Sequence, residues 1–270
     1  MAQAELARRL ARIGGAEPGD VHQARVAARR LRSLLRTFKP LFAAGPADRY
    51  RGALKQTADL LGDIRHLDVL TAMAPLRRQP FDQALRQDRT LAVRKLQRRL
   101  RTASVQTALN SSLAAPTLAG LGLAPGVDTV TVLRRVRRCW RRVARRIDAA
   151  PDTSEARHRL RIELKHCRYS LETIGDIEPR RTGALDAQLR AAQQVLGDQR
   201  DVEAARGWLQ SASVRDLGAH AVVRASVRME RRAARSEAEL GPTLEQLRTA
   251  GGRWDDAVTR VIRRASRDRS

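Results

Sequence analysis

The sequence predicts an all-α chain, and three observations carry that expectation. Apolar residues recur with helical period along almost all of the 270 residues, and no alternating β-branched run bounded by turn signals suggests a strand. Only 3% of residues are aromatic, while 42% are hydrophobic. The core must therefore be built from Leu, Val, Ile and Ala, which pack well between helices.

Taken in order, the N-terminal MAQAELARRLARIGG reads as an amphipathic helix. It has neither the uncharged apolar stretch nor the cleavage pattern of a secretion signal. A break at Gly14–Gly19 follows, with Asp20 a candidate cap for the next helix. That helix carries Ala24, Ala28, Leu31, Leu35 and Phe38 as an apolar stripe. Further breaks fall at Pro40–Pro46 and Met73–Pro80. The stretch AAPTLAGLGLAPGVD (114–128) is richest in Gly and Pro, divides the chain nearly in half, and is the expected linker. Beyond it lies the stripe Leu133, Val136, Trp140, Val143 and Ile147. A break at Ala149–Thr153 offers Thr153 or Ser154 as a cap. Leu160, Leu164, Cys167, Leu171 and Ile174 form the third stripe, and the last breaks are Gly175–Gly183 and Gly241–Pro242.

No apolar run approaches the ~18–20 residues of a membrane-spanning helix, so no membrane insertion is expected and the cytoplasm is the default compartment. Cys139 and Cys167 are the only thiols; they read as small buried residues, not as a disulfide framework.

Charge is the dominant feature. The formal net charge is +24, and 49 of the 53 basic residues are Arg, with Lys only at 39, 55, 95 and 165. The guanidinium fork matches phosphate oxygens bidentately and never loses its charge. Residues 1–126 carry 22 basic and 9 acidic side chains, net +13; residues 127–270 carry 31 and 20, net +11. The excess is thus shared by both halves. A folded positive surface is implied, and its self-repulsion should weaken the compact state at low salt.

The halves also repeat. VHQARVAARRLRSLLRTF (21–38) aligns with RHRLRIELKHCRYSLETI (157–174) at an offset of 136 residues, and LLGDIRHLDV (60–69) with VLGDQRDVEA (195–204) at an offset of 135. The expectation is one domain over 1–270 made of two helical repeats, 1–125 and 126–270. These would form two bundles related by an approximate two-fold axis.

Within the first block, His22, Arg25, Arg29, Arg32 and Arg36 fall at i, i+3, i+7, i+10 and i+14, one longitudinal row. The apolar stripe is the same pattern shifted by two residues, about 200° around the helix. The row is therefore expected to point away from the core. The second block repeats it as His158, Arg161, Lys165 and Arg168. With two-fold symmetry the rows would face each other across a basic central groove that a linear polyanion could occupy. The competing interpretation is a solvated amphipathic face. Two features oppose it: residues 21–39 contain no Asp or Glu, and the row recurs with His in the same place. Each His is either a helix-start surface residue or a ligand contact. Arginines around it should favour the neutral form, and a bound phosphate the cation. Arg30, Arg36, Arg142 and Arg145 extend the basic surface; the last two lie on LRRVRRCWRRVARRI (133–147), with eight Arg in one helix. Asp63, Arg65, Asp68, Asp198, Arg200 and Asp201 of the LGD segments read as salt bridges that orient basic side chains.

No GxxxxGK[ST] loop, HExxH, CxxC or GxSxG occurs, and the five His show no metal spacing. No catalytic residue, metal site or cofactor is expected, and the chain reads as a binding protein, not an enzyme.

These blocks resemble the CHAD domain, a conserved-histidine α-helical domain. The resemblance rests on HQARVAARRLRSLLRTF (22–38), HRLRIELKHCRYSLE (158–172) and the two LGD segments, and covers about residues 5–265. It implies paired helical bundles with a basic central groove and binding of inorganic polyphosphate, with association with polyphosphate granules. His22, Arg25, Arg29, Arg32, His158, Arg161, Lys165 and Arg168 would be the contacts. Two departures stand out. His66 occupies a position where the family usually has an acid. The ExExK signature of the triphosphate tunnel domain fused to some members is missing, so no triphosphatase activity is carried over. The rival readings are a nucleic-acid-binding helical protein, a phosphate-ester enzyme and a membrane-surface protein. Against the first, aromatics for base stacking are nearly missing.

Overall fold

Most residues of the three apolar stripes are buried, with Leu31, Phe38 and Ile147 only partly so, and that burial determines how the helices assemble. The computed structural model describes residues 2–43, 45–114 and 120–267. Among these are ten α-helices: α1 (Ala2–Ala11), α2 (Pro18–Thr37), α3 (Pro46–Leu60), α4 (Gly62–Ala72), α5 (Phe81–Leu100), α6 (Ala103–Leu113), α7 (Thr129–Asp148), α8 (Ser154–Leu171), α9 (Pro179–Leu209) and α10 (Ala219–Arg267). No strand is formed among the described residues; Phe42 and Leu123 make one isolated bridge. The expected linker runs through residues 115–119, which lie outside the described residues.

The chain divides into two compact units. One comprises Met1–Arg32, Ala44–Leu121 and Gln199–Ala234; the other comprises Ser33–Ala43, Gly122–Asp198 and Arg235–Ser270. The division falls inside α2, α9 and α10, so each of these helices contributes residues to both.

In the first unit, Leu67 and Leu70 of α4 pack with Phe81 and Leu85 of α5, Val202 and Trp208 of α9, and Met229 of α10. Trp208 meets Phe81 edge-on at 6.2 Å, and its indole N–H donates to Asp88 at 2.8 Å, giving the buried ring's polar edge a partner. In the second unit, the predicted stripes of α7 and α8 join Leu185, Leu189 and Leu196 of α9 and Leu240, Leu247, Trp254 and Val258 of α10 in one core. Both cysteines are buried there. Burial pushes the Cys167 thiol well above its ordinary range, and neighbouring Cys139 adds to the effect. A buried thiol held neutral is a poor nucleophile.

Local signals hold at some positions and yield at others. Thr153 caps α8, accepting from the Ala156 N–H at 3.1 Å. Asp20 is not a cap: Pro18 starts α2 earlier and leaves Asp20 in the first turn. There its carboxylate still suits the helix dipole and pairs with Arg9 at 2.7 Å and Arg12 at 3.3 Å. The break expected at Gly241–Pro242 does not occur, because α10 continues through Pro242. Leu240, Leu244 and Leu247 are buried on both sides of it, and that packing outweighs the ~3 kcal/mol penalty of an interior proline. Gly183 likewise lies inside α9. The LGD segments differ: the first straddles the junction of α3 and α4, the second lies within unbroken α9.

Two glycines permit close approach. Gly122 has φ +64°, and a Cβ there would sit 2.6 Å from the Cβ of Ala43; its carbonyl accepts from Ala43 N–H at 2.7 Å, and Ala124 N–H donates to Leu41 at 2.8 Å. On α10, a Cβ at Gly251 would fall 1.9 Å from Cζ2 of the buried Trp140 indole. In an ordinary helix interior Gly→Ala gains about 0.8–1 kcal/mol. Here the sign should invert at one position only. Gly251→Ala is expected to destabilise the protein by at least about 1–3 kcal/mol through overpacking, whereas Gly252→Ala, with nothing within 4 Å, should stabilise it. Equilibrium urea unfolding of the two variants checks this; equal effects would refute the packing argument.

Candidate anion-binding site

The row on α2 is half-buried: His22, Arg25, Arg29, Arg32 and Arg36 all have intermediate exposure. The row lies away from the buried Ala24, Ala28 and Leu35 of the same helix, yet it is not fully solvated. Neighbouring helices wrap the row's flanks, which a single-helix projection cannot reveal.

In the first unit, α2 presents His22, Arg25, Arg29 and Arg32 beside the junction of α3 and α4. A guanidinium N–H of Arg25 donates to the carbonyl of Ala58 near the end of α3. A Cβ on Gly62, the glycine of the first LGD segment, would lie 3.6 Å from Arg25 Nη1. The Nε atoms of Arg25 and Arg32 are buried without a hydrogen-bond partner among the described residues. Burial lowers the pKa of both; Arg29 and Arg65 add to it at Arg25, and Arg51 and Arg29 at Arg32, while Asp59 opposes it at both. His22 is held below its ordinary range, first by burial and then by Arg65, Arg29 and Arg25, with Asp68 opposing.

The carboxylates near this cluster are committed elsewhere. Asp59 pairs with Lys55 at 2.6 Å. Asp68, its side chain only 4% exposed, pairs with Arg89 at 2.7 Å, and Arg89 also donates to the Ala16 carbonyl at 2.6 Å. Asp63 pairs with Lys95 at 3.1 Å and Arg51 with Asp48 at 3.1 Å. The cluster is a set of half-buried cations whose nearest anions each pair with another cation, although Asp68 Oδ2 is buried without a hydrogen-bond partner among the described residues and Asp59 offsets part of the repulsion. An arriving polyanion would relieve both the repulsion and the desolvation.

The second row stands on α8, in the second unit. His158 is exposed, while Arg161, Lys165 and Arg168 are half-buried. Arg168 pairs with Glu172 at 3.4 Å and lies over the Tyr169 ring at 4.4 Å, so part of its charge is already engaged.

Arg65 and Arg51 join the first cluster, although the sequence reading did not place them there. Arg65 belongs to the repeated LGD segment, and that recurrence was the available signal. Arg51 carried none, because only the fold brings α3 beside α2. Among the described residues, no group of three or more His, Cys, Asp or Glu is placed to hold a metal ion.

The CHAD domain family model matches residues 2–210. The chain belongs to the CHAD-domain family. Two solved structures share this CHAD fold. The CHAD domain from the plant Ricinus communis is 23% identical with a TM-score of 0.69, covering 93% of this chain and 88% of that one. PptA from Streptomyces chartreusis is 17% identical with a TM-score of 0.67, covering 90% and 95%. At these identities the likeness is one of fold. A search of curated proteins finds no match. Among the described residues, no helix of this CHAD protein is long and apolar enough to cross a membrane.

The extended basic positions divide by environment. Arg30 is half-buried. Arg36 and Arg142 both engage the buried Glu163, at 2.8 and 3.3 Å, and Arg145 is exposed. The residues 21–39 are free of acids, but Glu163 supplies one from α8.

Crowding on α2 predicts a salt response. Raising ionic strength from about 10 mM to about 150 mM shrinks the screening length from about 30 Å to about 8 Å. The melting temperature is expected to rise. In Arg29→Met, which removes the central charge of the row, the rise should be smaller by about 2–4 °C, the shift that 1 kcal/mol produces in a chain of this size. An identical rise in both proteins would show that the row is not under repulsion.

Proposed function

We propose that this CHAD-domain protein binds inorganic polyphosphate without chemically altering it, through His22, Arg25, Arg29 and Arg32 on α2 and His158, Arg161, Lys165 and Arg168 on α8. The observation that carries this reading is the cluster on α2: half-buried cations beside carboxylates that other cations already hold. Exposed unit charges at 4 Å attract by about 1 kcal/mol in bulk water, rising to about 4 kcal/mol at the effective dielectric of a partly buried site. Half-burial therefore favours a ligand that brings many charges at fixed spacing, and long chains over single phosphates.

Family membership supports the polyanion class, and the scarcity of aromatics favours a phosphate chain over nucleic acid. On the same reading the protein associates with polyphosphate granules where these are present. The repeats over 1–125 and 126–270 would be the origin of the two rows.

The deciding experiment is a competition titration at about 150 mM salt. Labelled long-chain polyphosphate is displaced by unlabelled polyphosphate, duplex DNA or single-stranded RNA. Polyphosphate is expected to win by at least tenfold per phosphate; equal competition would mean that the protein reads charge alone. Replacing Arg25, Arg29, Arg161 and Lys165 together with Ala should weaken binding by orders of magnitude with far-UV circular dichroism unchanged. By analogy with B-DNA, the slope of log affinity against log salt should also become shallower, by just under one unit for each phosphate that the variant no longer neutralises.

Binding should also depend on pH. His22 starts below its ordinary range in the free protein, and a polyanion beside it raises its pKa. The complex then holds more protons than its parts, so affinity is expected to rise as pH falls from about 8 to about 5.5, by tenfold for each unit of pKa difference. In the free protein the sign is reversed: a depressed histidine contributes stability above its ordinary pKa that is lost on acidification. His22→Gln should flatten the affinity profile across that window, and an unaltered profile would remove His22 from the site.

A further inference from the structure

A cavity of about 230 Å³ lies within the first unit, where α3, the end of α5 and α6 come together. No residue of the two basic rows lines it. Its lining is sorted by depth. Gln56, Arg99 and Ser104 are exposed and form the mouth. Leu60 and Leu109 are buried and Val105 and Ala108 half-buried, so the interior is apolar. Gln56 with Leu60 and Ser104 with Ala108 stand at i,i+4, so each helix turns one polar and one apolar residue to the same side.

The donors are confined to the mouth. Arg99 forms no ion pair among the described residues, and residues 89–127, which hold the end of α5 and all of α6, contain no Asp or Glu. Thr102, just before α6, makes no side-chain bond to the first turn of that helix. Its hydroxyl donates instead to the Arg99 carbonyl at 2.8 Å. The first-turn N–H groups of α6 therefore lack a side-chain acceptor, and the positive end of its dipole lies beside Ser104 and Val105. The cavity and Arg99 define the site; the helix end adds to it. Deeper in, Thr57 is buried and has no proton to give. Ser112 Oγ commits its single proton to the Ala108 carbonyl at 2.9 Å. In the 2.8 Å contact between the two hydroxyls, Thr57 must then be the donor. The interior thus accepts an apolar group and offers nothing to an anion.

We infer that this cavity binds a small monocarboxylic acid with an aliphatic tail. The carboxylate pairs with the guanidinium fork of Arg99, and the tail lies against Leu60, Val105, Ala108 and Leu109. An apolar cavity of about 150 Å³ holds benzene, with its six non-hydrogen atoms. On that scale about 230 Å³ holds about nine, a chain of roughly six or seven carbons with two oxygens. Inorganic phosphate has no tail to fill the interior. This ligand class lies beyond the polyphosphate reading and does not rest on it.

NMR titration of the methyl-labelled full chain with butanoate, hexanoate and decanoate tests the assignment. The Val105 and Leu109 methyl signals are expected to shift saturably with hexanoate. Affinity should rise by about fourfold for each methylene that the cavity can cover, and then level off before decanoate. Arg99→Gln changes an exposed side chain and should weaken hexanoate by at least about fivefold, while hexanol, the uncharged analogue, binds as before. Ala108→Leu, which fills the interior, should remove binding of both; should that variant fail to fold, Arg99→Gln decides the matter by itself. Inorganic phosphate should not displace hexanoate. Absence of saturable methyl shifts, equal hexanoate affinity in Arg99→Gln, affinity that still climbs at decanoate, or displacement by inorganic phosphate would each overturn the inference.

Discussion

A guanidinium cannot shed its proton to escape an unfavourable setting, and the packing around α2 follows from that constraint. A lysine or histidine crowded by like charge can become neutral; an arginine must instead find a dipole, an anion or water. Arg25 takes the carbonyl of Ala58, and Arg36 takes Glu163. Arg32 has a buried Nε without a partner among the described residues. His22, the one group of the row able to change charge, is held toward neutrality by its neighbours. The basic face is thus shaped by what each cation can reach, and its remaining capacity is what a phosphate chain would meet.

The acids are placed to suit. Asp59, Asp63 and Asp68 each pair with a cation outside the row, at Lys55, Lys95 and Arg89. They steady the frame around the cluster and leave its charge largely uncompensated. Glu163 is the contrasting case, a buried acid placed directly between two arginines. A buried carboxylate is costly unless satisfied; Arg36 bonds one oxygen of Glu163, and the other has only the Arg142 ion pair at 3.3 Å, which keeps the local charge positive.

Much of this was legible in the sequence, because helical periodicity is a local property. The stripes of α7 and α8 fall in the core as their spacing predicts, and Thr153 caps as its position suggests. What escaped depends on partners distant in the chain. Pro242 reads as a stop, yet buried leucines on both sides carry α10 through it. Nothing local marks Gly251 as the seat of the Trp140 ring. Arg51 carries no local sign of lying near Arg32, and for Arg65 the repeated LGD segment is the one signal. The row itself was found, but its half-burial was not, since a helical projection contains no information about neighbouring helices.

Three helices cross from one compact unit to the other, and each unit draws on three separate stretches of sequence. Neither can therefore be excised by a single cut. A fragment ending at the linker would carry α2 to its end, but would lack the stretches of α9 and α10 that close the first core. The chain is not a string of two exchangeable modules. A recombination event or a proteolytic nick in its middle would leave two incomplete pieces, so selection would act on the whole as one inheritable block.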